Sequence, residues 1–553
     1  MRRLPLTLLA FALAAPGQST APHTYRVAGT VVSAIDNHPL QRASIQLLNP
    51  EDQAPVQTTT SDQYGRFAFT GVPAGNHELQ GTAPNYLATM YDEHEGFNTG
   101  IITGAAVDTE SLVLKLHPES VIAGIVVDES AEPVQNASIQ LFRQTHNFGD
   151  GRVVLAGSIA TDDLGRFELP GLIPGTYFLA IIAAPWYAVH PTPAPIETAA
   201  PAGSRRAFPQ GLDPSFADSI DPALDVAYPI SFYPGTTDPA RAAPILVHGG
   251  NSVDLHFQLS PSPAATLSLP RSPKGQPQAY PTLGIPFRGQ MLVPVDELRQ
   301  GSGQVVISGL APGDYMLSQS NRPINRSNPG TPIHLGDRTT AESNLPTASD
   351  NAQLHVRLQS ARGDVLPSHV RVLLMQGHGD AIAGQVSDEK NEVNLEASPG
   401  EYFFEVADQQ RPYAVRQIIA ANGHPLASNN LHLAAGDKLS VILTVIPGIH
   451  TLKGVARKDG KPVPGAFILL FPSNEASDIR TSFRQQSDLD GSFDIRGLAP
   501  GAYTLLAIEN GWDLDWQHQG ALSSYLRTAL TVHIPDTADK VQYLPNPISV
   551  QSR

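Results

Sequence analysis

The sequence predicts an all-β chain: a tandem array of about five Greek-key β-sandwich modules behind an N-terminal signal peptide. Three observations predict it. A twenty-residue meander of two strands and two turns recurs along the chain, a matching front half precedes each copy, and the composition is rich in turn formers. The 553 residues hold 49 prolines and 46 glycines with only 16% charged residues, which suits short strands and dense turns rather than helices.

The meander is clearest at 160–179, ATDDLGRFELPGLIPGTYFL. Asp162 and Gly165 suit the ends of a type I turn, with Gly free to take positive φ. Phe167 and Leu169 alternate with polar residues as on a half-buried strand, Pro174-Gly175 turns the chain again, and Tyr177 and Leu179 alternate into the next strand. Residues 60–79 and 486–505 repeat this frame. Gly75, Gly175 and Gly501 each have a turn glycine ten positions earlier (Gly65, Gly165, Gly491) and a phenylalanine eight earlier (Phe67, Phe167, Phe493). A weaker copy keeps Gly303 and Gly313, and another keeps Gly400 and Tyr402 but has Lys390 where the first glycine is expected.

Each meander has a front half made of a strand, a turn ending in proline and a second strand. Examples start at Ala28, Ala123, Leu354 and Lys453, and the runs Ala43–Leu47 and Ala137–Leu141 are identical. Closing apolar strands follow at Leu112–Leu116, Val253–Leu259 and Leu439–Ile446. Six or seven short strands in about 90–100 residues fit a Greek-key sandwich.

Read together, G-x-V-x-(turn)-P-(V/L)-x-x-A-x-(I/V)-x-L and T-D-x-x-G-x-F-x-(F/L)-x-x-L-x-P-G-x-Y-x-L resemble the carboxypeptidase regulatory-like domains. The resemblance implies transthyretin-like sandwiches, grouped with the carbohydrate-binding-like fold, of the kind found in tandem in exported, acidobacterial-type proteins. It is strong in the first, second and fifth copies and weaker in the third and fourth. It specifies fold more than activity.

Taken in order, residues 1–17 read as a signal peptide: Arg2-Arg3, an apolar run from Leu4 to Ala15, and cleavage after Gly17 or Ala14. The run is too short to span a bilayer, and nothing later reaches eighteen apolar residues. With no cysteine there is no lipid-anchored or disulfide-bonded form, so the chain reads as a bacterial export, periplasmic, outer-surface or extracellular. The boundaries expected are 22–118, 119–262 (with a Pro/Ala-rich insertion at about 185–234), 263–349, 350–447 and 448–553. The insertion lengthens the second repeat interval to 138 residues, against 100, 87 and 101 elsewhere. A net charge of −16, with no long block of Lys or Arg such as would extend the pair Arg205-Arg206, argues against a nucleic-acid footprint and fits a soluble exported chain.

The sequence offers no HExxH, no H-x-x-E pair, no G-x-S-x-G and no cysteine nucleophile, so it predicts no enzyme, no catalytic residue, no metal site and no cofactor. His94 in YDEHEG lacks a second histidine at helical spacing, and Asp488-Leu-Asp490-Gly491 lacks the remaining ligands of a calcium loop. Asp62, Asp162 and Asp488 are expected to cap their own turns. Tyr177, Tyr315, Tyr402 and Tyr503, with His77 in their place in the first copy, are expected to pack in the core with the hydroxyl tied to backbone, as in a tyrosine corner. Glu396 lies near the acidic position of isopeptide-bonded adhesin modules, without the Lys/Asn spacing those require.

The candidate ligand-binding residues are aromatic. Eleven or twelve residues after each turn glycine stand Tyr86, Trp186-Tyr187 and Trp512, with Trp516 close behind, so all three tryptophans fall in equivalent loops at one end of their modules. Exposed rings there would stack on sugar faces; rings padding the seams between modules would not. The expectation is a rod or arc of non-catalytic modules that binds or scaffolds at the cell envelope. Polysaccharide is the favoured ligand class, an envelope protein another partner, and a ligand-free spacer or adhesion stalk the alternative. An accessory role to an enzyme or transporter is less expected, since no catalytic domain or barrel follows the fifth module.

Overall fold

The computed structural model describes residues 23–190, 221–270, 281–294, 297–300, 304–318, 330–336, 340–342, 351–376, 380–420, 424, 426, 430–473, 482–518, 520–537 and 539–553. The predicted signal peptide and most of the predicted insertion lie outside these residues.

The architecture is tandem β-sandwich. In the first repeat, Tyr25–Ser33 runs antiparallel to Arg66–Val72 on one side and parallel to Leu112–Leu116 on the other. The facing sheet places Ser44–Leu48 between Pro55–Thr60 and Gly75–Thr82. The second repeat keeps this plan, with Ser120–Val127 between Arg166–Leu172 and the parallel strand Ser252–Gln258. So does the fifth, where His450–Lys458 pairs antiparallel with Ser492–Leu498 and parallel with Val541–Tyr543 and Ile548–Ser549. A parallel partner needs a crossover, and here the whole opposite sheet supplies it.

Alternation puts Val27, Val31, Phe67, Phe69, Leu112, Leu114 and Leu116 into the first core, all 4% exposed or less. Other apolar clusters draw on 122–259, 265–335, 352–445 and 452–550. Within 352–445, Pro412–Ala420 pairs with both Gly400–Ala407 and Lys438–Pro447, joining the two sheets into one of eight strands.

The repeat is held by three recurring hydrogen-bond devices. The hydroxyls of Tyr177, Tyr315, Tyr402 and Tyr503 each donate to the carbonyl four residues earlier, at 2.8, 2.6, 2.6 and 2.8 Å. In the first repeat His77 Nε2 meets the Pro73 carbonyl at 3.1 Å, so imidazole stands in for phenol. Asp62 and Asp162 accept the backbone N–H groups two and four residues on, as expected. A third device was unforeseen. The buried hydroxyls of Ser61, Thr161 and Ser487 accept from Ala43, Ala137 and Ala466 N–H and donate to Leu40, Val134 and Val463 carbonyls, tying the meander to the front half.

Two expectations need correction. The missing glycine of the fourth meander is replaced by Asn391 (φ +61), not Lys390, because that strand is one residue shorter and Asp388 caps the turn. Asparagine tolerates the left-handed region where lysine does so poorly. Asp488 does not cap its own turn: Asp490 accepts the Ser492 N–H at 2.9 Å, and Asp488 faces another repeat. Glu396 lies on the outward, exposed side of its strand, unlike a buried bond-promoting carboxyl.

Candidate functional site

Of the expected rod or arc, the described residues do not form an extended rod: the fifth sandwich folds back onto the first and second. The loop 92–99 of the first sandwich is the hub. His94 stacks on Trp512 (centroids 5.6 Å apart, planes 9° apart), and Phe97 lies 5.4 Å from the same indole. Glu95 turns the other way, accepting from Thr145 Oγ1 at 2.8 Å and pairing with Arg143 at 3.6 Å in the second sandwich. Gln486 Nε2 donates to Asp92 O at 2.6 Å, and Leu489 N donates to Gly100 O at 2.9 Å. The Leu489 side chain packs on the first core while Phe97 packs on the fifth's outer cluster. Each sandwich thus buries an apolar side chain of the other.

The fifth also meets the second directly. Trp516 lies against Gly149 (φ +69), where an added Cβ would stand 2.4 Å from the indole, so glycine serves both the turn and the close approach. His146 Nδ1 is 2.8 Å from Asp515, and Gln517 N donates to Gly149 O at 2.8 Å. Arg484 sits over the Phe97 ring with Asn147 in reach, and burial pulls its pKa down.

These contacts decide where the aromatic candidates stand. Trp512 and Trp516 are 8% and 4% exposed, in a cluster that covers the outer face of the strands Phe467–Pro472 and Gly501–Ile508. They are seam residues. Tyr86 is half-buried at the passage between the first two sandwiches, bridged to Pro118 with its hydroxyl 3.4 Å from His38. Trp186 is 85% exposed and stands edge-on to Tyr187 at 5.9 Å. Tyr187 is fixed by donating to Glu129, which also accepts from Tyr228. Desolvation and that carboxylate push the Tyr187 phenol up to about 12. The five aromatics therefore do not form one surface; Trp186 and Tyr187 alone remain a presented pair.

A cleft of about 1210 Å³ opens between the first and fifth sandwiches, with Asn76, Glu78, Gln485, Asp494, Arg496 and Tyr543 among its walls. Its residues are too far apart in sequence for local reading to unite. One signal was available: the runs Phe467-Ile-Leu-Leu-Phe471 and Leu505-Leu-Ala-Ile508 do not alternate and are buried throughout. Such runs mark strands covered on both faces, whereas Gly75–Thr82 in the first repeat alternates.

Comparison with known proteins places the first repeat. Residues 26–107 match the carboxypeptidase regulatory-like domain model. No curated protein matches. Among solved structures the chain is similar to the Bacillus anthracis TIE protein at 10% identity (TM-score 0.18, covering 98% of this chain and 75% of that one). It is also similar to a streptococcal ancillary pilin at 12% identity (TM-score 0.19; 52% and 100% covered) and to GBS52, the minor pilin of Streptococcus agalactiae, at 13% (TM-score 0.20; 46% and 99%). Scores this low carry no argument about function. The family match thus falls on the first sandwich, and the chain carries the β-sandwich fold in tandem.

Proposed function

We propose that this chain is an exported, non-catalytic scaffold of a bacterial envelope, built of five sandwiches with the boundaries read from the sequence and closed by the fifth on the first two. The observation that carries the reading is the Trp512 stack on His94 and Phe97, with Trp516 on Gly149. The fifth sandwich spends its aromatic loop on its own chain, which suits a body of fixed shape that sets distances. Small-angle scattering of the mature chain tests it: a compact particle that expands in Trp512→Ala supports the scaffold, and an extended rod in both refutes it. Export is tested by N-terminal sequencing of protein from the periplasmic or extracellular fraction. Starts at Gln18 or Ala15 support it, and unprocessed protein confined to the cytosol refutes it.

Carbohydrate binding is a second reading, narrowed to Trp186 and Tyr187. Its support is one indole presented 85% exposed and braced by a ring that Glu129 holds. Titration of cell-wall and soluble polysaccharides should show saturable binding lost in Trp186→Ala and kept in Trp512→Phe. A flat response across the panel removes this reading and leaves the scaffold.

A further inference from the structure

Asp488 holds the position that caps the turn in the first two meanders, yet its carboxyl crosses the seam. Oδ1 accepts the Gly100 N–H at 3.0 Å and Oδ2 accepts from Asn76 Nδ2 at 3.2 Å, both in the first sandwich. Behind it, Ser492 Oγ lies 2.5 Å from Asp490 Oδ1 and 3.4 Å from Asp488 Oδ2. A hydroxyl has one proton to donate, so it serves one carboxylate and turns a lone pair on the other. Protonation of Asp488 removes the conflict: its O–H donates to Ser492 Oγ while Ser492 donates to Asp490.

We propose that docking of the fifth sandwich on the first takes up a proton at Asp488, so that the scaffold is tightly closed in mild acid and loosens as the pH rises past neutral. The inference rests on the closed arrangement but not on its envelope role. Facing Asp488 from the first sandwich are Asn76 and the Gly100 amide, with Glu51 and Glu78 farther along the cleft. From the fifth come Asp490, Ser492 and Asp494, the last paired with Arg496 at 3.0 Å, with Lys453 and Arg484 on the same cleft wall. Burial first, then the charges of Asp490 and Asp494, push Asp488 up to about 7, against the pull of the Gly100 N–H. Undocked, its turn is open to water and its value returns toward 3.8. A carboxyl raised in the closed state favours closure as pH falls from 7 toward 3.8 and loses that contribution as pH rises through 7.

The closed-to-open ratio should then rise about a hundredfold from pH 8 to pH 5. Hydrogen exchange at the Gly100 amide of the full mature chain, corrected for its intrinsic pH dependence, reads that ratio. Asp488→Asn keeps the Gly100 bond through its amide oxygen, can donate its N–H to an Asn76 turned to present its own oxygen, and should protect Gly100 equally at the two pH values. Unchanged wild-type protection between pH 5 and 8 overturns the proposal. So does an Asp488→Asn chain that retains the dependence. Should that variant not fold, Asp490→Asn leaves Asp488 in place and should lower the midpoint; an unmoved midpoint also overturns it.

Discussion

Two loops at the same repeat position have opposite fates. After the second meander, Trp186 stands 85% exposed beside Tyr187; after the fifth, Trp512 and Trp516 are 8% and 4% exposed beneath the first and second sandwiches. The local sequence is alike in kind, a tryptophan at the end of a strand following Pro-Gly-x-Tyr. What differs is the neighbour. His94 and Phe97 close over Trp512, and Gly149 leaves room for Trp516. A repeat position thus fixes where a ring stands, and packing between repeats fixes what it does.

The sharpest break in this comparison comes from truncating the rings. Trp512→Ala should cost about 3–5 kcal/mol of the closed state, as for other large aromatic losses from packed sites. Trp186→Ala should shift stability by about 0.5 kcal/mol or less. Chemical denaturation of both variants checks this, and equal effects would erase the distinction. Next in size, Gly149→Ala drives a Cβ to 2.4 Å from the Trp516 ring at a φ of +69, and should cost about 1–3 kcal/mol. The same substitution at Gly171, with open space around its Cβ, pays the backbone strain alone. Smaller again, Tyr503→Phe strands the Ala499 carbonyl and should cost about 1–2 kcal/mol by thermal unfolding, with Tyr177→Phe alike because the bond is the same. The least disruptive test uses light: iodide should quench the Trp186 emission and spare that of Trp512 and Trp516, which single-tryptophan variants can resolve.

Much of this fold could be read from the sequence because each module's design is local. The turn glycines, the phenylalanine eight residues before Gly75, Gly175 and Gly501, and the tyrosine two residues after Pro-Gly turns all act within a few residues of themselves. The tyrosine hydroxyl bond spans four residues. The candidate site was read half-way. Tyr86, Trp186, Tyr187, Trp512 and Trp516 were found as one class, but the loop 92–99 that sorts them lies some four hundred residues from Trp512 and has no periodicity of its own. His94, a lone histidine among carboxylates in the sequence, acts as a stacking plate for Trp512. Asp488 looks like Asp62 and Asp162 in sequence, and differs because Asp490 releases it from the turn to reach Gly100.

Docking of the fifth sandwich on the first can be trapped covalently. The chain has no cysteine, so a pair can be introduced without background. Asn76 and Asp488 meet at 3.2 Å across 412 residues of sequence. In Asn76→Cys/Asp488→Cys, mild oxidation or a short bis-thiol reagent should give a monomer of altered mobility on non-reducing gels, at a yield independent of protein concentration. A chain that stays uncrosslinked, or links only into dimers as concentration rises, would contradict the closed arrangement.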